Sequence, residues 1–169
     1  MSSTANLSSA KTSSHSIYTI LKATLIAGTL DITLACLNFY IKTQKSPVIV
    51  LRYIASAVFG KSAYTDDTIM PLIGLLFHYI VAFIWVTIFF LLYPKLISLT
   101  KNSIVTGLLY AIVIWLTMNF LVLPLTLVPK SSFNFTQALI GTLILMIAIG
   151  LPLGLIMKKY YAQRDLATN

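Results

Sequence analysis

The chain has 169 residues, of which 58% are apolar and only 9% charged, with a mean hydropathy of +0.90 and a formal net charge of +8. Soluble domains carry about 25% charged residues, so this composition cannot coat a water-facing surface and excludes a soluble globular fold. The positive excess does not point to nucleic acid either, because the basic residues sit at segment ends and form no basic face with interleaved aromatics.

The polar stretch 1–16, MSSTANLSSAKTSSHS, lacks the compact basic start of a cleavable signal and reads as a disordered cytoplasmic tail. Four apolar runs follow: Ile17–Ile41, Ile69–Tyr93, Ile104–Val128 and Phe135–Met157. Each reaches the roughly 20 residues that a helix needs to cross a hydrocarbon core of about 30 Å. Runs such as IGLLFHYIVAFIWVTIFFLLY do not alternate in polarity, which argues against the strands of a membrane barrel. The membrane domain is thus placed at 17–161, with a short tail at 162–169.

Between the first two runs, Ser46-Pro47 reads as an N-cap followed by proline at the first helical position. Leu51, Ile54, Ala55 and Val58 recur at helical spacing, with Arg52 and Ser56 off that stripe, and Gly60 supplies a stop. The prediction is an amphipathic helix over 47–59, about 20 Å long, too short to span and therefore interfacial or re-entrant. The adjoining ASAVFGKS resembles the end of a nucleotide-binding P-loop. That loop needs a strand before it and exposed amides around the phosphates, whereas a helix precedes Gly60-Lys61-Ser62 here and Val58 and Phe59 crowd the cradle. No nucleotide is expected, and Lys61 reads as an interfacial lysine.

The remaining connections, 94–103 and 129–134, are short and force antiparallel neighbours. The expected fold is an all-α integral membrane protein, a four-transmembrane-helix up-down bundle with the short helix between spans one and two. Lys11, Lys22, Lys95, Lys101, Lys158, Lys159 and Arg164 fall on the side of both termini; Lys42, Lys45, Arg52, Lys61 and Lys130 fall opposite. That bias puts both termini in the cytoplasm. Tyr40, Tyr93, Tyr160 and Tyr161 stand at span ends, as interfacial anchors do. The single Cys36 excludes an intramolecular disulfide.

Ionisable groups inside a membrane are costly and point to function. Asp31 lies midway along span one, on a small-and-polar stripe of Thr24, Ala27, Asp31, Ala35 and Asn38. Span two carries Pro71, Gly74, His78, Ala82 and Trp85; span three offers Trp115, Asn119 and Thr126, with Pro124 expected to kink it. In span four, Gly150 and Gly154 are spaced for close helix contact. At about 1.5 Å per residue, Asp31 lies roughly 17 Å from the cytoplasmic end, and His78 and Asn119 roughly 21–22 Å. Asp31, His78 and Asn119 are therefore expected to form one buried hydrogen-bonded cluster, with the 47–59 helix (Arg52, Ser56, Lys61) as a lid above it.

Two histidines and four acids supply no convincing metal site, so no catalytic residue, metal or cofactor is expected. A pairing of Cys36 with His78 as a nucleophile lacks a polar cleft. The stretches AGTLDI, VLRYIASAVFGKSAY, GLLFHYIVAF and GLLYAIVIWLTMNFLVLPLT together resemble a group of four-span bacterial inner-membrane proteins of no assigned activity. The resemblance covers roughly residues 20–160 and implies a bacterial cytoplasmic membrane and the same topology, but no site residues. The first expectation for function is a non-enzymatic accessory subunit that assembles with itself or with other membrane subunits. The alternative is a small proton-coupled transporter or channel built on Asp31, His78 and Asn119, and a third reading is a haem- or quinone-binding subunit, with His78 as the axial ligand.

Overall fold

The computed structural model describes residues 3–65, 68–129 and 134–168; Asp66, Asp67 and Lys130 lie outside them. The chain forms helices α1 (Ser3–Thr43), α2 (Val48–Phe59), α3 (Ile69–Thr100), α4 (Ser103–Thr117), α5 (Phe135–Leu145) and α6 (Leu151–Thr168), with no strand among the described residues. A π turn at Met118–Val122 extends α4, and another at Met146–Gly150 runs α5 directly into α6. Four of the resulting rods are long and apolar enough to cross a membrane: His15–Thr43, Ile69–Thr100, Ser103–Leu125 and Phe135–Arg164. The protein is an all-α, multi-pass membrane bundle.

Several boundaries differ from those read in the sequence, each for a local reason. Helical backbone begins at Ser3, within the stretch expected as a tail, and α6 runs to Thr168 through the expected C-terminal tail. Span two does not end before Pro94 but continues to Thr100. Proline lacks an N–H, which leaves the carbonyl four residues back without its helical donor. That carbonyl belongs to Phe90, and the Tyr161 hydroxyl donates to it at 2.9 Å. An interhelical hydrogen bond thus replaces the one that Pro94 removes. The expected ten-residue connection shrinks to Lys101-Asn102. Lys101 takes the left-handed conformation (φ 55°), and the Asn102 side chain accepts from the N–H groups of Ile104 and Val105. Pro124, expected to kink span three, instead sits in its closing 3-10 turn at Leu123–Leu125, beyond the π turn.

The core is concentrated in the half of the bundle away from α2. Phe89, Leu153 and Met157 are fully buried there, beside an aromatic cluster of Phe90, Tyr93, Tyr160 and Tyr161. Tyr93 and Tyr160, expected as interfacial anchors, are only 3% and 5% exposed and pack inward. Close backbone approach holds α4 to the fourth span. A Cβ on Gly107 would stand 2.0 Å from the Gly150 carbonyl oxygen, and one on Gly154 would stand 2.4 Å from that of Ser103. The small-residue spacing read in the sequence is the physical basis of that contact.

Helix α2 packs along α3, where a Cβ on Gly74 would stand 1.9 Å from the Leu51 carbonyl oxygen. Its start is shifted by one residue from expectation. Pro47 occupies the N-cap position without a side-chain cap, and the carbonyls of Ser46 and Pro47 accept from Ile49 and Val50. Ala55 and Ser56 are both fully buried, whereas Val58 is 57% exposed. Ser56 thus belongs to the packed face, contrary to the sequence stripe. Its hydroxyl donates to the Tyr53 carbonyl at 2.7 Å, so the polar group is satisfied within the helix and packs almost like alanine. Gly60 ends the helix with φ 56°, as its sequence position suggested, and Gly60–Tyr64 form a 3-10 turn.

Candidate functional site

The half of the bundle near α2 is not filled. A cavity of about 640 Å³ lies between the helices, within the usual range for small-molecule sites. Asp31, His78 and Asn119 all line it. Helix α1 contributes Ala27, Asp31, Ala35, Asn38 and Lys42, the small-and-polar stripe at helical spacing. Thr24, the first member of that stripe, is instead buried, and its hydroxyl has no hydrogen-bond partner among the described residues. The α3 wall is His78, Ala82 and Trp85; Pro71 and Gly74 of the same expected stripe are buried, Gly74 against α2. Trp115 and Asn119 face the cavity from α4 and its π turn, and Gln137 and Gly141 face it from α5. Glycine at 141 makes room for an indole, since a Cβ there would stand 3.2 Å from Trp115 Nε1. Gly150 and Gly154 point the other way, into the contact with α4.

Two adjacent contacts fix α3 against α1 at the inner end of the cavity. His78 Nε2 lies 2.8 Å from the Gly28 carbonyl oxygen. A carbonyl can only accept, so Nε2 carries a proton and donates it. Beside it the hydroxyls of Thr29 and Tyr79 are 2.8 Å apart, and the Tyr79 ring lies over Gly28. Gly28 precedes Asp31 by one helical turn, which brings His78 within electrostatic reach of the Asp31 carboxyl. Asn119 donates to the carbonyl of Trp115 in its own helix at 2.9 Å.

Asp31, His78 and Asn119 thus line one cavity, but they are not hydrogen-bonded to one another among the described residues. His78 and Asn119 each bond a backbone carbonyl, and the Asp31 carboxyl has no hydrogen-bond donor among the described residues. Asp31 and His78 are half-buried, while Asn119 is exposed toward the α2 end.

Helix α2 walls the cavity with Val50, Tyr53 and Ile54, and Tyr64 follows from the adjoining turn. The Leu127 N–H donates to the Ala57 carbonyl at 3.1 Å, tying α2 to the segment after α4. The helix therefore lies beside the cavity, but the three residues singled out from the sequence do not line it. Arg52 is half-buried, Ser56 is wholly buried and Lys61 is exposed in the turn. Two packed faces explain the difference: Ala55 and Ser56 are buried while Val50, Tyr53 and Ile54 meet the cavity, so a single hydrophobic stripe could not locate the second. Tyr53 lies outside the spans, and burial, with Tyr64 as a lesser cause, pushes its phenol above the ordinary value.

Lys42, Tyr53 and Gln137 are lining residues that sequence reasoning did not assign to a site. Trp85 and Trp115, the chain's two tryptophans, both face the cavity. Cys36 does not line it; its thiol points at the Pro47 carbonyl, 3.8 Å away. No group of three or more His, Cys, Asp or Glu side chains suited to a metal occurs among the described residues. Comparison with protein-family models, with curated proteins and with solved structures finds no match to this chain.

Proposed function

We propose that this membrane protein binds a small solute in the cavity and couples its movement to protonation within the site, as a compact transport or permeation unit. The observation that carries the reading is the convergence of Asp31, His78 and Asn119, from three different helices, on one cavity of about 640 Å³. Polar groups that merely lock helix register meet each other across a packed interface. Here His78 also ties α3 to the Gly28 carbonyl, but the Asp31 carboxyl meets no hydrogen-bonding partner across a packed interface among the described residues and borders open space.

The setting we propose is a bacterial cytoplasmic membrane with both termini inside. Ser16 and Tyr160 are hydrogen-bonded, so the first and last spans share an end. The exposed Lys95, Lys101, Lys158, Lys159 and Arg164 lie toward that end, in keeping with a positive cytoplasmic face. Self-association or a partner subunit is compatible with this reading, but the cavity makes a purely accessory role the weaker choice.

Proteoliposomes carrying a luminal pH dye test the proposal. Under an imposed pH gradient, the wild-type chain is expected to move protons, and Asp31→Asn to abolish the flux while eluting as a folded protein. Wild-type vesicles as tight as empty ones, together with a stoichiometric partner retained in mild detergent, would establish the accessory-subunit reading instead.

A further inference from the structure

We infer that the solute is an amphipathic organic cation that ion-pairs with Asp31 in exchange for a proton; this rests on the solute-binding reading above and adds the chemical class. Asp31 is the one carboxylate within the described spans, and it faces the cavity without a donor from the described protein. An ionised carboxylate held away from water needs a positive partner. The described protein hydrogen-bonds none to it: His78, the basic side chain beside Asp31, commits its Nε2–H to the Gly28 carbonyl.

The other titratable and charged groups facing the cavity are few. Lys42 lies eleven residues beyond Asp31 on α1, about 16 Å away by helical rise, and is exposed at the outer end. Tyr53 and Tyr64 face it from α2 and its turn; α4 and α5 contribute only the neutral Trp115, Asn119 and Gln137. The inner end thus carries the carboxyl, with His78 the other ionisable group there among the described residues. Trp85, Trp115, Tyr53 and Phe39 surround the space with aromatic faces, which attract organic cations through their quadrupoles and accommodate apolar substituents.

An anion would meet Lys42 at the rim and then an uncompensated Asp31 within. A cation passes a solvated rim charge and ends on the carboxylate. In the empty site a proton neutralises Asp31. When the cation enters, the carboxyl O–H gives up that proton to water at the outer end, and the carboxylate pairs with the cation. No other bond changes.

Because both tryptophans line the cavity, their fluorescence reads its occupancy directly. Full-length protein in nanodiscs of zwitterionic lipid would be titrated with tetraphenylphosphonium and with tetraphenylborate, which share a shape and differ in charge sign. The expected result is saturable quenching by the cation, at least tenfold tighter than by the anion, and at least tenfold weaker at pH 5 than at pH 8. Asp31→Asn should weaken cation binding at least tenfold and flatten the pH dependence; Asp31→Glu should keep both. Should Asp31→Asn fail to fold, the wild-type pH series and Asp31→Glu decide the matter. Equal affinity for the two ions, preference for the borate, or an unchanged Asp31→Asn titration overturns the cation assignment. No saturable response to either ion also overturns it, while the transport reading survives if Asp31-dependent proton flux persists and falls with it if flux is absent.

Discussion

Replacing Gly74 by alanine should separate α2 from α3 and unseat one wall of the cavity. The added Cβ would stand 1.9 Å from the Leu51 carbonyl oxygen, whereas ordinary contacts begin near 3.4 Å, so one helix must retreat by about 1.5 Å. The obstacle is backbone, which cannot rotate away as a side-chain tip would. Overpacking of this kind costs about 1–3 kcal/mol, a five- to roughly 150-fold shift toward the separated arrangement. Ser56 provides the reporter because it is wholly buried on the packed part of α2. In a Cys36→Ser, Ser56→Cys background, a water-soluble maleimide should label position 56 slowly, and Gly74→Ala should accelerate labelling about five-fold or more. Acrylamide should also quench Trp85 and Trp115 more strongly, since the retreat of α2 opens the cavity that they line. Labelling within twofold of the parent, with unchanged thermal stability, would refute the close approach of α2 and α3.

The Tyr161–Phe90 bond predicts a double-mutant cycle. Tyr161→Phe should destabilise the bundle by about 0.6 kcal/mol, the average for interhelical hydrogen bonds in membranes, and by less in a Pro94→Ala background, where a backbone N–H again serves the Phe90 carbonyl. Equal costs in both backgrounds, measured by thermal melts in one detergent, would sink that account. Tyr53 predicts an alkaline limit for α2. Burial raises its phenol above the ordinary 10.0, with Tyr64 adding to the shift, so the folded state holds the proton more tightly than the unfolded chain. Its contribution should be constant below pH 10 and fall as the pH rises beyond that toward the folded value. Tyr53→Phe should remove that decline from the maleimide-protection profile, and a decline identical to wild type would exclude Tyr53 as its source.

Much of the site was legible in the chain because helical periodicity gathers residues on one face without knowledge of partners. The stripe through Ala27, Asp31, Ala35 and Asn38 needed only a spacing of 3.6, and it lines the cavity as a unit. Depth along straight rods brought His78 and Asn119 to nearly the same level. Hydrogen-bond partners were not legible. The selection of the Gly28 carbonyl by His78, and of a same-helix carbonyl by Asn119, depends on ångström-scale rotation about each helix axis. The two-faced packing of α2 was hidden for a related reason: a buried serine that bonds its own helix looks polar in sequence and behaves as a small apolar residue in space.

Sequence alone determined the solvent of this protein, the number of its spans and the polar groups that the membrane cannot leave facing lipid. Those follow from the cost of charge and unpaired backbone in hydrocarbon, which acts on each segment separately. Only the tertiary structure decided that the aromatic residues and glycines close one half of the bundle while the other half stays open around Asp31. Void and core use the same helices, and which forms at a given level depends on side-chain volumes meeting across neighbours, a quantity no single segment contains.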